Sequence, residues 1–170
     1  VAVDVIRSTG AVDLKTTATE LSIGEITSGD QVVLTGNADI TTVLDQLSTD
    51  SYLRADRLHL NQFSSIDLST AVDTLRIAAV GTETAQGMIT LSNEGDLTLD
   101  GISAWIYAPV SLTTTGNMTV REAIVTQQAG QDIALTATAG SITLDEQDLQ
   151  PIVADYRSGA TQGEANVYLT

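Results

Sequence analysis

A repeated unit constrains the fold of this chain most strongly: a glycine, one or two small polar residues, and then a short alternation of apolar and polar residues. Three such units follow one another from Gly116, Gly130 and Gly140. Side chains of a β-strand point to opposite faces in turn, so an apolar pair such as Met118 and Val120 lies on one face. Glycine allows the chain to turn before each strand. The pattern therefore predicts a series of short strands separated by tight turns.

The same alternation runs through the whole chain and predicts which residues face the core. The predicted inward sets are Val1/Val3/Val5, Val12/Leu14, Leu21/Ile23, Val32/Leu34, Leu58/Leu60, Ile66/Leu68, Leu75/Ile77, Ile89/Leu91, Leu97/Leu99, Ile102/Ala104/Ile106, Val110/Leu112, Met118/Val120, Ile133/Leu135, Ile142/Leu144 and Val167/Leu169.

Two all-β architectures show strands at this spacing, the β-sandwich and the β-solenoid. Apolar residues make up 42% of the chain and aromatic residues only 4%, which favours thin layers of small aliphatic side chains over the bulky core of a sandwich. No linker divides the 170 residues into halves. We therefore predict one parallel β-helix (solenoid) domain over residues 1–170, with about seven turns if each takes roughly 20 to 25 residues.

Two segments depart from the alternation. Ile40, Val43, Leu44 and Leu47 follow helical spacing, which predicts a short helix or a loop excursion near residues 38–50. Residues 147–164 contain Pro151 and two glycines and are predicted to form a loop.

Charge and composition exclude several classes of function. Seven Lys and Arg against 22 Asp and Glu give a formal charge of −15, so nucleic acid would be repelled. No apolar run is long enough to insert into a membrane, and no cysteine is present for a disulfide or a thiolate metal site. The chain begins and ends within alternating runs, from which we expect a segment of a longer repeat protein.

Residues 128–144, with Gly95–Leu99 and Gly116–Val120, resemble the degenerate repeats of filamentous-haemagglutinin-like and other large bacterial surface proteins. The resemblance is best over Gly87–Leu144 and implies a right-handed β-helix, export to the cell surface, and adhesion without catalysis. The partners it implies are a host or neighbouring-cell surface, a glycan, or other copies of the chain end to end. Nothing in the sequence resembles the secretion module of that family.

An aromatic strip is the first candidate binding site. If Ile102 and Ile106 face inward, alternation turns Ser103, Trp105 and Tyr107 outward on one strand. Exposed aromatic rings on a rigid sheet suit sugar stacking, which supports an alternative role as a glycan-binding or glycan-cleaving module. The other reading is that a neighbouring segment covers Trp105, as large aromatic residues are mostly buried.

Acidic residues recur at the predicted turns and give a candidate calcium site. Asp96, Asp100 and Asp145 could supply oxygen ligands to Ca²⁺ if stacked turns bring them together, although their spacing matches no known calcium loop. Solvated turns are the alternative. The only histidine, His59, is predicted to face outward, which leaves too little for a catalytic triad. We accordingly predict no catalytic residues and a non-enzymatic, extracellular role.

Overall fold

The structure, a computed structural model, is an all-β parallel solenoid of about six turns. It describes residues 1–36, 38–42, 53–82, 84–126, 131–145, 152–153 and 167–170. In these ranges every named strand belongs to one 16-stranded sheet, and every strand pairing is parallel. The predicted parallel β-helix is confirmed, and its right hand stays a prediction.

The strands are β1 (Ala2–Ser8), β2 (Val12–Thr16), β3 (Glu20–Ser28), β4 (Gln31–Gly36), β5 (Asp39–Thr42), β6 (Leu53–Asn61), β7 (Ser65–Val80), β8 (Ile89–Asn93), β9 (Leu97–Ile106), β10 (Val110–Thr114), β11 (Met118–Val120), β12 (Ile124–Val125), β13 (Ile133–Ala137), β14 (Ile142–Leu144), β15 (Ile152–Val153) and β16 (Val167–Leu169).

Columns of aliphatic side chains run through the core because successive turns stack in register. Ile66 of β7 pairs with Ile89 of β8, Ile89 with Val110 of β10, and Val110 with Ile133 of β13. All four residues are at most 1% exposed. Each turn therefore covers the apolar face of its neighbour, and the core is a row of thin layers along one axis.

A second set of columns lies on another side of the coil. Leu58 of β6 pairs with Leu75 of β7, Leu75 with Leu99 of β9, and Leu99 with Val120 of β11. These residues are also at most 1% exposed. The apolar residues of both sides belong to one buried cluster, which fills the space inside the coil.

The alternation breaks where a strand bends from one side of the coil to the next. In β1 the residues that pack towards the core are Val3 and Ile6, three positions apart, while Val5 is 52% exposed. The pairings Val3↔Ile23 and Ile6↔Ile26 carry the same bend into β3. The prediction that Val5 faces the core is therefore wrong, because strict period two assumes a straight strand.

Further predicted core residues are exposed on the outer turns. Val1 is 69%, Leu144 38%, Val167 42% and Leu169 45% exposed. Within the described residues, β14 pairs only with β11, and β16 only with β13, so one edge of each has no strand beside it.

The sequence predicts a short helix or a loop excursion near residues 38–50, and over residues 39–42 the structure forms neither. Asp39–Thr42 form β5, and Ile40 is fully buried between Leu21 and Ile66 in one column. A strand there continues the columns of both neighbouring turns, which outweighs a weak local helical pattern. Residues 43–52 and most of the predicted loop at 147–164 lie outside the described residues.

The turns differ in length, and their number, about six, is close to the predicted seven. Residues stacked in one column are 19 positions apart between Leu21 and Ile40, 26 between Ile40 and Ile66, and 34 between Ile133 and Val167.

Candidate functional site

The aromatic strip lies on β9 and the residue that follows it. The backbone of Trp105 pairs with Ala79 of β7, whereas the side chains of Ser103 and Trp105 lie outside the described part of the chain. Tyr107 is half-buried; its N–H donates to Val80 O at 2.8 Å, and its carbonyl accepts from Gly87 N at 3.0 Å. The strip as a sugar-binding surface stays a prediction.

Two of the three calcium candidates, Asp96 and Asp100, have separate side-chain partners on the next turn. Asp96 Oδ1 accepts hydrogen bonds from Asn117 N at 2.7 Å and from Asn117 Nδ2 at 3.3 Å. Asp100 Oδ1 lies 3.9 Å from Arg121 Nη1. Val120 pairs with Leu99, which precedes Asp100, and with Leu144, which precedes Asp145. Arg121 follows Val120, so its guanidinium belongs to the turn between the two turns that carry these carboxylates. In the described ranges no three His, Cys, Asp or Glu side chains form a group that could hold a metal ion.

His59 lies on the outward side of β6, as predicted, and is half-buried. It pairs with Val33 on one side and Arg76 on the other. Burial, with a further contribution from the Arg76 charge, lowers the pKa of the His59 imidazole below its usual 6.5.

A groove on the side of the coil, which we call the Gln62 groove, is a site that the sequence did not predict. Its volume is about 650 Å³, within the range of small-molecule sites. Three chain segments line it, and their residues are Asp39, Gln62, Phe63, Ser64, Ser65, Ala79, Gly81, Thr82, Ala85 and Gln86.

Backbone hydrogen bonds between turns fix the middle segment of the groove. Phe63 N donates to Ala79 O at 3.2 Å, and Gly81 N donates back to Phe63 O at 2.9 Å. Ser64 N donates to Ala38 O at 2.8 Å on the other side. The Phe63 ring is 2% exposed and anchors the segment in the core.

Gln62 has a backbone φ of 62°, the only positive value for a non-glycine residue in the described chain. Residues other than glycine rarely adopt a positive φ, and this backbone conformation costs them about 1 kcal/mol or more. The Gln62 side chain is exposed. Its backbone is fixed because the neighbouring residues Phe63 and Ser64 are hydrogen-bonded to other turns.

A tight turn forms the far wall. Thr82 N donates to Ala85 O at 2.8 Å, and Ala85 N donates to both the backbone oxygen and Oγ1 of Thr82, at 3.2 and 3.0 Å. Gly87 follows with its Cα against the Ser64 carbonyl, where a Cβ would collide. Gln131, 3% exposed, donates from Nε2 to Gln86 Oε1 at 3.0 Å and so orients the Gln86 amide.

The groove offers uncharged hydrogen-bonding groups around a small apolar floor. The polar groups of its described lining residues are two amides, three hydroxyl groups and the carboxylate of Asp39, and no Lys, Arg or His is among these residues. The hydroxyl groups have no adjacent imidazole to activate them, since His59 is not part of the lining. Such polar groups can hold a polar ligand through hydrogen bonds.

Sequence reasoning missed the groove because its parts are distant in the chain. The one local signal is the run Asn61-Gln62-Phe63-Ser64-Ser65, where polar residues interrupt the apolar alternation without a glycine. That run marks an irregular bend, but only the stacking of turns shows that Asp39 and Gln86 lie beside it.

No protein family matches this sequence, and comparisons with curated proteins and with solved structures find no similar chain. The resemblance to haemagglutinin-like repeats therefore stays a prediction. The described residues contain no helix with the length and apolar character needed to cross a membrane.

Proposed function

We propose that this chain is a non-enzymatic structural and adhesive segment of a bacterial cell-surface or secreted protein, and that it presents a rigid rod. The observation that carries the proposal is the in-register column from Ile66 through Ile89 and Val110 to Ile133, fully covered by neighbouring turns. Such a core extends along an axis and gives a long, stiff lateral surface, which suits display and contact better than enclosure of a reaction.

The surface charge supports an exposed, solvated rod. A formal charge of −15 keeps copies soluble and repels polyanions, which leaves uncharged or basic surfaces as partners. We accordingly propose an extracellular or cell-surface location, with a cell surface or a glycan as the partner of the lateral surface and other copies of the chain as partners end to end.

Adhesion is tested with beads coated with the purified chain and incubated with bacterial and epithelial cells. Beads coated with serum albumin, another acidic protein, control for charge. We expect the chain to retain beads on at least one cell type, and retention to disappear after thermal unfolding. Retention equal to that of albumin on every cell type would contradict the adhesive role.

The absence of catalysis is tested separately with the same preparation. The chain is incubated with polygalacturonate, hyaluronan and chondroitin sulfate, and new reducing ends are measured. We expect no increase over buffer. Reproducible depolymerisation, abolished by heating the protein, would overturn the structural assignment in favour of a glycan-cleaving enzyme.

A further inference from the structure

We propose that the Gln62 groove is a binding site for an uncharged, hydroxyl-rich ligand of the class of neutral oligosaccharides. This proposal is independent of adhesion, because cells could be held by another part of the rod. It also differs from the predicted aromatic strip, since Tyr107 is not among the described residues that line the groove.

The lining selects for an uncharged ligand. Among the described lining residues Asp39 is the only ionisable one, and the whole chain has a formal charge of −15. An anionic ligand would meet the Asp39 carboxylate, and no Lys or Arg stands among the described lining residues to pair with it. A hydroxyl group, in contrast, can donate to a carboxylate at no cost in charge.

The arrangement of polar and apolar groups matches a sugar ring. Gln62, Ser64 and Thr82 are exposed at the rim, where amide and hydroxyl groups can both donate and accept. Ala79 and Ala85 supply small apolar surface between them. A sugar presents hydroxyl groups at its edge and C–H groups on its faces, so it can satisfy both parts of the lining at once.

A peptide ligand fits the groove less well. Peptides are held by sheet edges or by deep apolar pockets for their side chains. Of the lining residues that the structure describes, Phe63 is the only large apolar one; it is 2% exposed and already packed in the core, and the other apolar residues are alanines. The groove therefore lacks an anchor pocket for a bulky side chain.

The groove is formed before any ligand binds, which lowers the ordering cost of binding. The hydrogen bonds of Phe63 and Ser64 to neighbouring turns fix one wall, and the Thr82–Ala85 turn fixes the other. The unusual backbone of Gln62 is held at its strained φ by these same bonds. Such strain is commonly found at ligand sites.

The test is calorimetric titration of the purified chain with cellohexaose, maltohexaose, laminarihexaose, chitohexaose and mannohexaose. We expect at least one of these to bind, with an affinity that does not change between 50 and 500 mM NaCl, because the ligand is uncharged. No binding by any of them at millimolar concentration overturns the proposal, as does a strong dependence of the affinity on salt.

Two variants locate the site. Ser64→Ala removes one hydroxyl, and Gln62→Gly removes one amide at a φ that glycine adopts without strain. Each should weaken binding about fivefold to tenfold, the usual effect of one lost hydrogen bond. Unfolding midpoints no lower than that of the parent protein show that the fold is retained.

Ser111→Ala is the matched control, because Ser111 is an exposed hydroxyl on β10 and does not line the groove. It should leave the affinity unchanged. Equal weakening by Ser111→Ala and Ser64→Ala would overturn the assignment. So would loss of binding in Trp105→Ala with full binding in both groove variants, which would place the saccharide on the aromatic strip.

Discussion

At the scale of single residues, His59 links the stability of the coil to pH. Its pKa is lowered by burial and by Arg76, so the folded state takes up a proton less readily than the unfolded chain. The contribution of the neutral His59 imidazole to the free energy of unfolding is fully present above the unfolded-state pKa of 6.5. It is lost as the pH falls through the lower pKa of the folded state.

We therefore expect the urea midpoint of the parent protein to fall between pH 7.5 and pH 5.5 by more than that of His59→Gln, which has no imidazole to protonate. Carboxylates titrate mainly below this range and affect both proteins alike. Parallel pH profiles for the two proteins would show that His59 does not contribute to this dependence.

Asn93 is the polar residue on which one bend of the coil depends. It is 2% exposed; its Oδ1 accepts from Thr70 Oγ1 at 2.8 Å and from Val72 N at 2.9 Å. Its Nδ2 donates to the carbonyls of Glu94 and Asp96, at 3.3 and 3.2 Å. The side chain thus satisfies buried groups on two successive turns.

Asn93→Ala should lower the free energy of unfolding by about 2 to 3 kcal/mol, because the Val72 N–H loses the acceptor that Asn93 provides. Asn117→Ala is the matched control. Asn117 also bridges two turns, through Ser141 N at 3.1 Å, but it is exposed and water can replace it. A loss for Asn117→Ala as large as that for Asn93→Ala would contradict the role of burial.

At the scale of strands, the sequence predicted most inward residues, since alternation is a local property. Leu91, Leu112 and Leu135 were each predicted from a short run and form one fully buried column. Val5 was mispredicted because bends interrupt period two. The bends depend on contacts between turns, such as Gly24 lying against the Asp4 carbonyl, and a single strand shows no sign of them.

Leu112 lies in the middle of that column, between Leu91 and Leu135. Leu112→Ala should lower the free energy of unfolding by about 2 to 5 kcal/mol, since the layers on both sides prevent collapse of the cavity. Met88→Ala, at a side chain that is 50% exposed, should change it by less than about 1 kcal/mol. Urea unfolding followed by circular dichroism measures both, and similar losses would contradict the layered core.

At the scale of the whole molecule, the solenoid could be predicted and the groove could not. Repeated turn-and-strand units with few aromatic residues favour stacking along an axis. The position of Asp39 beside Gln62 and Gln86 depends on how many residues each turn contains. Those numbers vary irregularly, so no spacing in the sequence brings the groove residues together.

The excess of negative charge over the whole coil affects its stability. The chain carries a formal charge of −15, and repulsion among the acidic side chains opposes the compact state. Cross-turn ion pairs act in the opposite sense, as between Arg7 and Glu25 at 2.7 Å and between Arg57 and Asp30 at 3.5 Å. Each such exposed pair is worth only about 0 to 1 kcal/mol, so repulsion should dominate.

Salt screens both effects, and the Debye length falls from about 30 Å at 0.01 M to about 3 Å at 1 M. Because repulsion is the larger effect, we expect the urea midpoint to rise as NaCl increases from 0.01 to 0.5 M. Choline chloride at equal ionic strength should give the same rise if screening is the cause. A midpoint that falls with salt would mean that the ion pairs between turns contribute more to stability than the excess negative charge removes.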